Sequence, residues 1–292
     1  MIVFRSAGGL LLVAQPDHGV VAGALARAWG NPVFAAPSPP VLLYTAEHHD
    51  DAWLELDAVP VLNPALGRPH TFISMPITAR VAHYRKGIDV AEAHDPYAGL
   101  LTSLHYVGLM QGFYGLYGQE PVRRSEQFRR SLPAEQRRAI QWFKQGESRR
   151  RKRLWPAAPG ADWERRLWEN YRMLQVWDVL SLFLCRHRFP GQGDVVRLPG
   201  APAHPGGADV VLTAVWLDGE RVALSPYPLA TPELALRVLA RRIPDREYGS
   251  DDELQAVWAA AEPVDLGVCV VPGSPAVAPA GEMDARAATR VQ

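Results

Sequence analysis

Cysteine is nearly absent. The 292-residue chain holds two, Cys185 and Cys269, far apart and without paired spacing. That excludes a disulfide framework and a Cys-x-x-Cys zinc site, and it fits a reducing compartment with both residues as small buried hydrophobes. Net charge is also absent. Lysine plus arginine equals aspartate plus glutamate, 31 each, which leaves no footprint for general nucleic-acid binding. No apolar run is long enough to cross a bilayer. The start, MIVFRSAGGLLLVAQ, is interrupted by Arg5 and Gly8-Gly9 and lacks a cleavage pattern. A secretory signal is therefore not expected, and the expected location is the cytoplasm. No GxGxxG loop, GxSxG elbow or repeat of fixed period occurs, which removes dinucleotide-binding and nucleophile-elbow chemistry.

Apolar residues make up 48% of the chain, enough for a sizeable core. Two short apolar runs around Gly8-Gly9 predict a β-hairpin. Val20, Val21, Ala24, Leu25 and Ala28 then recur at helical spacing, with Asp17 at the start and Gly30 beyond the end. Further helices are predicted over VLLYTAEHHDDAWLELDAV, ITARVAHYRKGIDVAEA, YAGLLTSLHYVGLMQGFYG, much of 121–155 and the long DWERRLWENYRMLQVWDVLSLFLCRHRF. Residues 57–76, rich in proline, read as an irregular connection. Beyond Pro190 the pattern turns to short strands, with Asp218-Gly219 as a hairpin turn. Thr231-Pro232-Glu233 predicts one helix and Ser250 to Glu253 a capping box for another. The expected fold is mainly α, with a small added sheet formed by the N-terminal hairpin and the C-terminal strands (α+β). The expected organisation is 1–190 as hairpin plus helical domain, 191–272 as a C-terminal α/β segment packed on it, and 273–292 as a disordered tail.

Four polar residues interrupt the apolar helices: His18, the pair His49-Asp50, and Asp178. Imidazole and carboxylate ligands together suit Mn, Fe, Zn or Mg and disfavour calcium. Adjacent residues on a helix diverge by about 100°, so an ion must lie across that edge for both His49 and Asp50 to touch it. The run Glu47 to Asp51 is acidic enough to be costly to bury without a neutralising cation. Asp178 sits in LQVWDVLSLFL and needs a partner, whether an arginine (Arg172, Arg186) or a metal. His105 in LLTSLHYVGLM is either a core histidine or a further ligand or phosphate contact; His83 and His48 are weaker candidates. Arg85, Lys86 and the run RRRKR at 149–153 read first as solvated faces.

His18 with VVAGALARAW, then AEHHDDAW, then VWDVLSL, resembles the HD superfamily of metal-dependent phosphohydrolases. That resemblance implies an HD-like helical body and metal ligation by His18, His49, Asp50 and Asp178. The sequence departs from many HD enzymes in having Asp51-Ala52 after the pair. LLLVAQPDH, HHDDAWLELD, HDPYAGLLTSLH and LQVWDVLSLFL also resemble an uncharacterised bacterial domain-of-unknown-function family (number three-eight-nine-one). That likeness implies a shared fold and brings no known reaction.

The expected function is therefore a metal-dependent phosphohydrolase for a small phosphoester or nucleotide. One divalent metal is expected, with a second admitted. Asp51 or Glu47 would serve as base or water-orienting group, and His105 would contact the leaving group or phosphate. The expected partner is a small phosphorylated molecule, with a homodimer admitted and neither membrane nor nucleic acid expected. Two alternatives remain: a non-catalytic protein that binds a small ligand or another protein, and a di-iron oxygen-using enzyme that recruits His83 and His105.

Overall fold

The computed structural model describes residues 1–111, 130–186 and 195–274. The hairpin forms as β1 (Ile2–Ser6) and β2 (Gly9–Val13), paired Ile2 to Val13 through Ser6 to Gly9. Helix α1 (Gln15–Ala28) follows at once, with Pro16 in its first turn. Next come α2 (Val41–His48), a single 3₁₀ turn (Asp51–Trp53) and α3 (Leu54–Asp57). The connection over 57–76 contains a short ribbon, β3 (Leu62–Asn63) with β4 (Arg68–Pro69). Helices α4 (Ile77–His94), α5 (Pro96–Gln111), α6 (Ala134–Leu154) and α7 (Trp163–Cys185) complete the helical layer. The C-terminal part adds β5 (Val195–Arg197), β6 (Ala201–Pro202), β7 (Asp209–Val210), β8 (Thr213–Trp216), β9 (Arg221–Ser225), β10 (Leu234–Ile243), α8 (Asp251–Ala260) and β11 (Pro263–Pro272).

The fold is not mainly α. Helix accounts for 48% and strand for 21%, and the sheet is a seven-stranded curled half-barrel. Its order is β1-β2-β10-β11-β9-β8-β5, antiparallel throughout except where β11 runs parallel to β9. Strand β10 accounts for much of the difference, because Thr231-Pro232-Glu233 opens a strand where a helix was expected. In LALRVLARRI, Leu236, Val238 and Ala240 are buried while Arg237, Leu239 and Arg241 face outward or sideways. That period of two lets β10 pair with β11 on one edge and β2 on the other. Cross-strand pairing on both edges outweighs the helical preference of its leucines and alanines. The hairpin turn at Asp218 forms, with Asp218 Oδ1 accepting from the Glu220 and Arg221 N–H groups at 2.9 and 2.8 Å. Ser250 caps α8 by accepting from Glu253 N–H at 3.2 Å.

One core fills the space between helices and sheet. Phe4, Leu11 and Val13 from the hairpin meet Val21 and Leu25 of α1, Leu174, Trp177 and Leu180 of α7, and Val238 and Val270 of the sheet. A fully buried side chain such as Trp177 contributes on the order of 3–5 kcal/mol against truncation to alanine. A second cluster joins Trp53 to Ile77, Tyr84 and Ile88 of α4, Tyr106 and Met110 of α5, and Phe143 of α6. The two clusters meet around residues 46–53 and 104–106. Ala46 and Leu104 belong to the first, Trp53 and Tyr106 to the second.

Close helix contacts set this junction. A Cβ on Gly19 would lie 2.4 Å from the Glu47 carbonyl oxygen, and one on Gly23 would lie 2.7 Å from Glu47 Cβ. Only glycine at these positions lets α1 lie this close to α2. The arginine run at 149–153 is engaged at the end of α6: Arg150 pairs with Asp89, Glu92 and Glu147, Arg153 with Glu92, and Arg151 donates to Ser103 Oγ at 3.1 Å. The expected domain boundary at 190, the end of the helix expected over YAGLLTSLHYVGLMQGFYG and the tail from 275 onward lie outside the described residues. Among the described residues, no helix is long and apolar enough to cross a membrane.

Candidate metal centre

Helix α2 ends at His48, and Asp50 takes φ −111°, ψ 18° before the 3₁₀ turn. The sequence predicted one continuous helix here. The break is what brings both side chains of the His-Asp pair to the inside. His49 and Asp50 are buried, as are His18 near the start of α1, His105 in α5 and Asp178 in α7.

The five groups converge. His18 Nε2 lies 2.9 Å from Asp50 Oδ2 and 3.9 Å from Asp178 Oδ1. His49 Nε2 lies 3.4 Å from Asp178 Oδ1, and His105 Nε2 lies 3.3 Å from Asp50 Oδ1. Two sets, His18-His49-Asp178 and His49-Asp50-His105, have ligand atoms that all lie within 4.8 Å of one another. Two atoms bound to one ion at ~2.1 Å each are at most ~4.2 Å apart, so shifts of a few tenths of an ångström close either set on a metal. These buried groups could therefore hold a metal ion, and His49 belongs to both sets.

The tautomers suit that use. His49 Nδ1 is 2.8 Å from the Ala46 carbonyl oxygen, which can only accept, so Nδ1 carries hydrogen and Nε2 faces the cluster. Ser181 Oγ donates to the Asp178 carbonyl at 2.9 Å and lies 2.9 Å from His18 Nδ1. Its one proton being committed, it accepts from His18 Nδ1–H, and His18 Nε2 is left for the cluster. Histidine ligands are commonly fixed in this way by partners on their outer nitrogen. Gln15 donates Nε2–H to Asp50 Oδ2 at 3.2 Å, while its buried Oε1 has no hydrogen-bond partner. An orphaned acceptor beside two carboxylates fits a site built around a further group.

The electrostatics are those of a cluster held together by protons. Burial lowers the His49 pKa, but the Asp178 hydrogen bond and the charges of Asp50 and Asp178 outweigh it and raise the value to about 9. Burial pushes Asp50 up, yet hydrogen bonds from His105 and His18 hold it well below the usual carboxylate range. Asp178 is likewise held low against burial, by the His49 hydrogen bond. His105 is pulled down by burial, which its Asp50 contact only partly offsets. An imidazolium at His49 thus balances one of the two carboxylate charges, and a divalent cation would displace its proton.

Glu47 and Asp51 are not brought into the cluster. Glu47 turns toward α1 and pairs with Arg27. Asp51 takes His48 Nδ1 at 2.9 Å as its partner. His83 lies 3.4 Å from Glu55 Oε2, so the extra ligand that a di-iron site would recruit is elsewhere. Arg85 stacks over Trp142 at 4.4 Å, and Lys86 pairs with Glu55 at 2.7 Å. Arg172 pairs with Asp209 at 2.9 Å and does not serve Asp178.

Three residues near the cluster escaped the sequence reading: Gln15, Ser181 and Arg80. Gln15 lies three residues before His18, and Ser181 three after Asp178, each on the same helix face as its partner. Arg80 lies between Ile77 and Tyr84 on α4, half-buried beside the apolar stripe, with its Nε buried. A cavity of about 230 Å³ opens beside the cluster, and Asp50, His105, Asp178, Gln15 and Arg80 line it.

No curated protein matches the chain, and neither does any solved structure. A family model described as "Protein of unknown function (DUF3891)" matches residues 1–245. Since that span is most of the chain, the chain belongs to this family.

Proposed function

We propose that the protein is a metal-dependent phosphohydrolase of the HD-like type. The observation that carries this is the pair of buried ligand sets, His18-His49-Asp178 and His49-Asp50-His105, beside a cavity of about 230 Å³ that Asp50, His105 and Asp178 line. The order His, His-Asp, Asp along the chain is that of HD enzymes, and the residues come from three places: His18 from α1, His49-Asp50 from the break after α2, and Asp178 from α7. His18, His49, Asp50 and Asp178 would hold the metal. When bound, a divalent ion supplies an acidified water near neutral pH and Lewis-acid polarisation of a phosphoryl oxygen. His18 and His49 present fixed Nε2 atoms through Ser181 and Ala46. His105 lines the cavity, where its imidazole, held low in pKa, can take up or pass on a proton at Nε2. Glu47 and Asp51 keep partners of their own and take no role in the mechanism.

The test is a metal-replete preparation (Mn, Fe, Zn or Mg) assayed on a broad phosphoester panel. Hydrolysis that disappears together with bound metal in His49→Ala and Asp178→Ala supports the reaction. Metal-replete protein silent across the panel contradicts it and favours a binding protein that keeps the fold.

A further inference from the structure

We propose that the cavity selects a small phosphomonoester with a short apolar organic part, and that Arg80 holds its phosphate; this rests on the metal-hydrolase reading above. The cavity's size is the first constraint. Pockets for drug-sized ligands start at about 300 Å³, and this one measures about 230 Å³. A nucleoside phosphate with its phosphate at the cluster would leave much of its sugar and base outside this volume, beyond the open side.

The lining is the second constraint. One end is polar, with Asp50, Asp178 and His105. The walls are largely Phe72, Ile77, Leu109, Met110, Ile140 and Leu182, which offer nothing to hydroxyls or base edges. Ile73, also lining, is partly exposed and marks the open side.

The third constraint is unsatisfied donors. Arg80 Nε and Trp53 Nε1 are both buried without a hydrogen-bond partner, and both residues line this cavity. Arg80 is the one arginine or lysine among the described lining residues, and its hydrogen-bonding neighbour is the Tyr84 hydroxyl. No carboxylate among the described residues forms an ion pair with it. Each stranded donor leaves its desolvation uncompensated. A ligand rich in acceptor oxygens answers both, and the planar guanidinium matches phosphate by paired hydrogen bonds. Asp50 and Asp178 face the same space and repel an anion until a cation neutralises them. Binding is therefore ordered, with metal before phosphate.

The probes are Mn²⁺ and inorganic phosphate, followed by isothermal titration on wild type, Arg80→Met and Arg80→Lys. Mn²⁺ affinity is expected to be unchanged in both variants, which also shows that they fold. The phosphate Kd of Mn²⁺-loaded protein is expected to rise about ten- to a hundredfold in Arg80→Met and less in Arg80→Lys. Phosphate should not bind the metal-free protein. Nucleoside monophosphates should compete with phosphate at least tenfold more weakly than phenyl or short alkyl phosphates. If Mn²⁺ does not bind wild type, the metal reading fails and this proposal fails with it. If Mn²⁺ binds but phosphate ignores Arg80→Met, or nucleotides compete equally well, this proposal alone is overturned.

Discussion

Replacing Ser181 with alanine removes one oxygen from α7 and replaces no proposed metal ligand, yet it should weaken the metal site. Ser181 Oγ stands 2.9 Å from His18 Nδ1 and 2.9 Å from the Asp178 carbonyl oxygen. His18 and Ser181 are both fully buried, so water cannot replace the lost oxygen without rearrangement. In Ser181→Ala the His18 Nδ1–H is stranded, at a cost of about 1–3 kcal/mol, or the proton moves to Nε2, where the metal should sit. At 1.4 kcal/mol per tenfold that is about a 5- to 150-fold loss of affinity, in line with the 10–100-fold typical of such supporting partners. Competition between the protein and a chelator for Mn²⁺ or Zn²⁺ measures it, with a thermal melt as the control for folding. A metal affinity within twofold of wild type would refute the assignment of His18 as an Nε2 ligand fixed by Ser181.

In metal-free protein, the His49 pKa raised from 6.5 to about 9 gives stability that is fully present below pH 6.5 and is lost as pH rises through 9. At 1.36 kcal/mol per unit this is about 3 kcal/mol, or about 6–12 °C in Tm; melts across this window should show it, and a flat profile contradicts it. His49→Gln should flatten that profile, and saturation with metal should reverse it, because the neutral imidazole is then the ligand. Gly19→Ala forces a Cβ to within 2.4 Å of the Glu47 carbonyl, so α1 and α2 must part; a loss of about 1–3 kcal/mol is expected in urea titration, with weaker metal binding, and a neutral variant would contradict the close packing. Glu47→Gln and Asp51→Asn should leave metal affinity unchanged in the same chelator assay, since each residue is occupied elsewhere.

Much of the helical layer was legible in the sequence, because α1 and α7 carry apolar stripes at helical spacing with their boundaries marked by proline and glycine. Strand β10 was not. Its leucines, alanines and arginines are good helix formers behind a Thr-Pro-Glu start, and only pairing with β2 and β11, distant in sequence, makes it a strand. Missing it made the sheet look small. At the site, the ligand order could be read directly, since buried histidine and aspartate among leucines are conspicuous. The break at Asp50 could not, since nothing in EHHDDAW interrupts helical spacing. Glu47 and Asp51 misled through proximity along the chain, which on a helix turns side chains away from one another. Gln15 was passed over because it reads as the end of the hairpin, and Ser181 and Arg80 because they read as ordinary helix, although each falls one turn from a residue that points inward.

The central claim is that one divalent ion sits between α1, the 49–50 break and α7. Anomalous diffraction from Mn²⁺- or Zn²⁺-soaked crystals tests it most directly. A peak is expected about 2.0–2.3 Å from His49 Nε2, within bonding distance of the carboxylate of Asp178 or Asp50, and absent in His49→Ala. Metal peaks confined to the surface, with the cluster closed by its own hydrogen bonds, would contradict it.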